Sequence, residues 1–129
     1  MKIKLTSIYV DDQDKALAFY TEKLGFIKKA DVSNGPYRWL TVATDEEPDG
    51  IELQLALNDN PAAAAYQEAI KAQGQPATMF HTADIQADYD RLVAAGVTFT
   101  APLAREPWGS MATLDDTCGN LIQLTQPAW

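Results

Sequence analysis

An internal repeat limits the folds open to this chain more than any other feature. One segment runs from Ile8 through Val10, Asp11 and Asp12 to Gly25 and Phe26. A second runs from Phe80 and His81 through Asp84 to Gly96 and Val97. Each reads as a short strand, an aspartate, an amphipathic helix, a glycine and a new apolar run. Asp12 stands thirteen residues before Gly25, and Asp84 twelve before Gly96. At 129 residues the chain suits one domain with a real core and is short for two independent ones.

The helix signals are physical. Asp11, Asp12 and Asp14 lie where a helix start offers unpaired N–H groups and a positive dipole end. Ala16, Phe19, Tyr20 and Leu24 follow at helical spacing, and Gly25 can take the left-handed conformation that ends a helix. In the second copy Asp84 opens the helix, Ile85, Tyr89, Leu92 and Val93 form its apolar face, and Gly96 closes it. Three strands are expected after each helix, at about 26–31, 36–44 and 50–56, then 97–101, 109–115 and 120–126. Asn34 and Gly35 suggest a tight turn between the first pair. Asn60 and Pro61 predict a connecting helix over about 61–73, closed near Gly74. The expected organisation is a single domain, 1–129, with module one at about 1–58 and module two at about 75–129.

Strand alternation sorts the side chains. Ile51, Leu53 and Leu55 share one face, and Glu52 and Gln54 the other. Ile122 and Leu124 oppose Leu121, Gln123 and Thr125. Trp39 and Thr41 alternate with Leu40 and Val42, which places Trp39 with Glu52. Tyr9 follows Leu5 and Ser7 at even spacing, and Met79 lies between Ala77 and His81. Trp108, in a Pro-Trp-Gly loop, is a candidate cover. Tyr9, Trp39, Glu52, Gln54, Met79, His81, Trp108 and Gln123 are therefore the candidate ligand-binding residues. They make an apolar surface with a few polar groups, as small-molecule sites do. The competing reading makes Tyr9 and Trp39 core or dimer-interface residues.

Composition narrows the partners. Eighteen acidic against ten basic residues give a net charge of −8. Such a chain repels phosphate backbones, so no nucleic acid is expected, and the charge serves either solubility or the attraction of a cationic ligand. No apolar run is long enough to span a bilayer, so no membrane partner is expected either. The first residues lack the apolar run of a signal peptide. With the single cysteine, Cys118, this makes cytoplasm the expected compartment. Cys118 sits beside Asp115 and Asp116, a poor setting for a reactive thiolate. His81, the only histidine, is a candidate shifted ligand or general base. The alternative is a sheet-end histidine without chemistry, and no partner is visible for it.

Two runs carry a family resemblance. Val10-Asp11-Asp12, followed by Ala16 to Tyr20 and Leu24-Gly25-Phe26, resembles the opening of vicinal oxygen chelate proteins, the glyoxalase, bleomycin-resistance and dioxygenase family. Asp115 to Leu124 resembles their closing turn and strand. The resemblance covers essentially the whole chain. It implies an α+β fold in which two βαβββ modules form a partly open eight-stranded sheet around a cleft, often within a homodimer. In its metal-dependent members it also implies a divalent ion held by residues on the first and last strands of each module. Those positions fall here at Leu5, Glu52, near Ala77, and Gln123. Two cannot coordinate, which leaves Glu52 and Gln123 as remnants and no metal or other cofactor expected. The resemblance therefore implies a metal-independent protein that binds a small molecule, cationic or aromatic, as a homodimer. The alternative is a divalent-metal-dependent lyase, isomerase or dioxygenase with a departed site using Glu52, Gln123 and His81.

Overall fold

Asp12 and Asp84 start equivalent helices, each accepting a hydrogen bond at 3.0 Å from the backbone N–H three residues on, at Lys15 and Ala87. The computed structural model describes residues 1–129. Its chain divides into two units, Met1–Ala65 and Tyr66–Trp129. The first holds β1 (Leu5–Val10), α1 (Gln13–Ala18), β2 (Ile27–Asn34), β3 (Tyr37–Ala43) and β4 (Glu52–Leu57). The second holds β5 (Thr78–His81), α3 (Ile85–Ala94), β6 (Phe99–Glu106), β7 (Gly109–Asp115) and β8 (Leu121–Pro127). Helix α2 (Pro61–Ala72) runs across the division.

The repeat recurs as topology. Strand order is β1-β4-β3-β2 in one sheet and β5-β8-β7-β6 in the other. In each, the first strand pairs in parallel with the last, and the remaining pairs are antiparallel. The chain is thus α+β, built from two βαβββ modules. No helix is long and apolar enough to cross a membrane.

Each module buries one sheet face. In the first unit Ile8, Val10, Leu40, Val42, Leu53 and Leu55 are buried, along with Ala16, Phe19 and Tyr20. In the second, Ile85 and Leu92 of α3 are buried with Ala112, Leu114, Ile122 and Leu124. Each large side chain so placed contributes about 1.5–3 kcal/mol. Tyr89 is half-buried against the Phe99 ring, 4.5 Å away, while Val93 faces solvent. Ile51 also lies outside the core, because it precedes β4 and stands exposed.

Local departures from the expected elements have identifiable causes. The helix after Asp12 is α-helical only to Ala18 and widens to a π-turn over Phe19–Lys23. There the Thr21 hydroxyl donates to the Leu17 carbonyl at 2.7 Å. Gly25 and Gly96 close their helices at φ 85° and 86°. The expected Asn34-Gly35 turn falls one residue later: Asn34 pairs with Tyr37, so Gly35 and Pro36 are the central residues. Gly35 at φ 59° followed by proline suits a type II′ turn. β6 begins after Val97 and continues to Glu106, past Pro102. Proline is tolerated there because β6 is an edge strand whose register shifts between Ala101 and Ala104.

Polar groups fasten the helices. Gln13 of α1 donates to the carbonyls of Arg38 and Leu55. Arg38 grips Asp31 with two hydrogen bonds, at 2.8 and 2.9 Å, and donates to Asp14 of α1 at 2.6 Å. In the second unit Gln67 of α2, Asp116 and Asn120 are all buried. Asp116 accepts from the N–H groups of Cys118 and Asn120 and from the Asn120 side chain, and Gln67 donates to the Cys118 carbonyl and to Asn120.

Two stability predictions follow from these contacts. Gly109 sits at φ 147°, and a Cβ there would stand 2.6 Å from the Gln126 carbonyl oxygen and 2.9 Å from Pro127 Cα. Both obstacles are backbone, so Gly109→Ala is expected to cost about 3 kcal/mol or more in urea denaturation. The hydrogen bond from Arg38 holds the Asp31 carboxyl below the usual carboxylate range. A carboxylate with a depressed folded pKa adds stability above its unfolded pKa, and that stability is lost as the pH falls through the lower folded value. Arg38→Met is therefore expected to lower stability at pH 7. It should also flatten the loss of stability below about pH 4, read from melting temperatures across pH.

Candidate functional site

Alternation along a strand means that the face away from each core is a second, separate surface. In the first unit the register sets Leu5 beside Glu52, Ser7 beside Gln54, and Tyr9 beside Ala56. Thr41 pairs with Gln54, Ala43 with Glu52, and Val32 with Trp39. Tyr9, Trp39, Glu52 and Gln54, the four first-module candidates, therefore lie on one sheet face, opposite the buried Leu40, Val42, Leu53 and Leu55.

Much of that face is apolar and open. Leu5, Tyr9 and Tyr37 are 40%, 42% and 55% exposed. Across it runs a short polar relay. Ser7 Oγ donates to Gln54 Oε1 at 2.8 Å, and Gln54 Nε2 donates to the Tyr37 hydroxyl at 3.4 Å. The fully buried Thr41 donates to Glu52 Oε1 at 2.6 Å, so one carboxylate oxygen is already engaged. Tyr37 was missing from the sequence candidates because it opens β3 directly after the turn. Its even spacing to Trp39 is the signal that places it here.

In the second unit Met79 pairs with Gln123 and His81 with Thr125 across β5 and β8. Thr113 and Met111 flank the same two β8 residues from β7. The candidates Met79, His81 and Gln123 thus share a face, and Met111, Thr113 and Thr125 join them there. Gln123 Nε2 points to Met111 Sδ at 3.0 Å. Trp108 stands apart in the β6–β7 loop, exposed, its carbonyl accepting from the Ala128 N–H. Cys118 is fully buried, with no surface for a nucleophile to use.

The residues at the positions that the resemblance marks for a divalent ion do not fit one. Leu5, which has no lone pair, is the neighbour of Glu52. In the second sheet the register puts Met79, two residues beyond Ala77, beside Gln123. A thioether is a soft ligand, poorly matched to the hard oxygen donor of Gln123. No three His, Cys, Asp or Glu side chains gather at any point. A catalytic ion ordinarily needs about three protein ligands.

Comparison with known proteins agrees with this architecture. A family model described as Glyoxalase/Bleomycin resistance protein/Dioxygenase superfamily matches residues 2–124. The Bacillus subtilis (strain 168) protein YurT is 56% identical over 126 residues, which span 98% of this chain and 99% of YurT. The crystal structure of UcmS2 superposes with a TM-score of 0.84 at 35% identity, covering 97% of each chain. That of TnmS3, an antibiotic binding protein from Streptomyces sp. CB03234, gives a TM-score of 0.75 at 32% identity, covering 99% of this chain and 97% of TnmS3.

The donor chemistry is checked by elemental analysis of protein purified without chelator. The expected content is below about a tenth of an ion per chain, where a catalytic site would hold about one. Stoichiometric zinc, nickel, manganese or iron would overturn this reading.

Proposed function

Because the chain belongs to the glyoxalase/bleomycin resistance protein/dioxygenase superfamily, we propose that it is a small-molecule-binding protein that works without the family's metal ion. The observation that carries this reading is the open face of the first sheet. There the side chains of Leu5, Tyr9, Tyr37 and Trp39 surround the Ser7–Gln54 hydrogen bond. Exposed aromatic surface beside a few oriented polar groups is what a small-molecule site requires. The antibiotic-binding relative TnmS3 supports the same class of activity.

The ligand is aromatic, to stack on Trp39 and the tyrosines. A cationic group on it would be drawn by the chain's net charge of −8. The protein acts in the cytoplasm as a homodimer and has no role in nucleic-acid or membrane binding.

Titration with cationic glycopeptides and a panel of planar aromatic compounds, followed by tryptophan fluorescence and thermal shift, tests the reading. Saturable binding by at least one compound is expected, with Trp39→Ala weakening it roughly tenfold. The absence of saturable binding across the panel, or a Trp39→Ala variant that binds as the parent does, would count against it.

A further inference from the structure

The second sheet carries one polar group that its fold leaves unsatisfied. Thr125 is only 3% exposed, and its hydroxyl reaches no hydrogen-bond partner. Buried polar groups are nearly always paired, so an orphan of this kind calls for an explanation. Thr125 is not on the core face. Its strand neighbours Leu124 and Gln126 point the other way: Leu124 is buried in the core, and Gln126 accepts from the N–H of Ile85 at the start of α3. Thr125 belongs with Gln123, between His81 on β5 and Met111 on β7. The hydroxyl oxygen is closed off from solvent, so a ligand reaches it when a flexible neighbour such as Met111 swings aside.

The chemistry around that hydroxyl is specific. The Gln123 amide nitrogen is committed to Met111 Sδ, which leaves Oε1 as an acceptor. Thr125 Oγ1 supplies a donor two residues along the same strand. A group that accepts from Thr125 and donates to Gln123 must do both at once, and a hydroxyl does. Met79, 48% exposed, and Met111 flank the two polar residues with polarisable thioethers, which make favourable contacts with aromatic ring edges.

We propose that the outer face of the second sheet binds the hydroxyl group of an aromatic small molecule, held by Thr125 and Gln123 with its ring against Met79 and Met111. This deepens the small-molecule reading above and rests on it. The unsatisfied threonine is then retained for the ligand, at a cost to the stability of the free protein.

The test uses full-length protein carrying [methyl-¹³C]methionine, with 2-naphthol and naphthalene as matched probes. Met1, Met79 and Met111 are the only methionines, so Met1 serves as an internal control. Addition of 2-naphthol is expected to move the Met79 and Met111 methyl signals but not Met1, with naphthalene binding roughly tenfold more weakly. Thr125→Val, which keeps the shape, should abolish that preference, and Thr125→Ser should preserve it. The ligand-free Thr125→Val protein should also melt about 3–6 °C higher, because an unpaired buried hydroxyl has been removed. Equal affinity for the two probes, unchanged 2-naphthol binding by Thr125→Val, or a lower melting temperature for that variant would overturn the proposal. If 2-naphthol saturates a change in tryptophan fluorescence that Trp39→Ala removes, yet moves neither methionine methyl, the subsite is wrong while the binding function stands. Failure of every compound in the wider panel would remove both.

Discussion

The parallel pairing of β1 with β4, and of β5 with β8, is the constraint on which each unit depends. Side chains alternate along a strand with a period of two, so a slip of one residue would move every core side chain to the outer face. A parallel neighbour cannot be reached by a short hairpin, and the helix and two intervening strands of each module supply the connection. The same register that buries Leu53 and Leu55 turns Glu52 and Gln54 outward, and the register that buries Ile122 and Leu124 turns out Gln123 and Thr125. Core and outer face are therefore one decision, made when the first strand pairs with the last.

That register is pinned at different points in the two units. In the first, Gln13 reaches from α1 to the carbonyls of Arg38 and Leu55, joining a helix to β3 and β4. Arg38 then ties β2 to α1 through Asp31 and Asp14. In the second, the loop before β8 is fixed by a buried carboxylate. Asp116 is enclosed by three N–H donors from Cys118 and Asn120. Those donors compensate the cost of placing a carboxylate out of water. The repeat thus preserves topology while the polar devices that enforce it have diverged.

The fold was legible in the sequence because its strongest signals are local. Asp12 and Asp84 as caps, Gly25 and Gly96 as stops, and the alternation around Leu53–Leu55 and Ile122–Leu124 depend on a few neighbouring residues. The features that escaped are those set by tertiary context. Nothing near Pro102 indicates that β6 would be an edge strand able to carry a proline. The widened turn at Phe19–Lys23 is closed by backbone bonds such as Leu24 N–H to the Phe19 carbonyl, which helical periodicity does not encode. On the outer faces, strand parity grouped Tyr9 with Trp39 and Glu52, and Met79 with His81. It gave no means of seeing that Trp108 would stand apart from them. The orphaned hydroxyl of Thr125 was equally hidden, because satisfaction of a polar atom depends on three strands at once.

A family frame can change its chemistry by changing which atoms line its outer faces while the core stays as it is. At the positions beside Glu52 and Gln123 this chain carries Leu5 and Met79. Neither is a hard donor, and neither belongs to the buried set beneath. The Glu52 carboxylate is held by Thr41, which makes it part of a hydrogen-bonded wall. The aromatic side chains of Tyr9, Tyr37 and Trp39 supply contact area with few torsions to immobilise, so a ligand can be bound there at low entropic cost. On the proposed reading, recognition rests on aromatic area and a few oriented polar atoms rather than on a point charge.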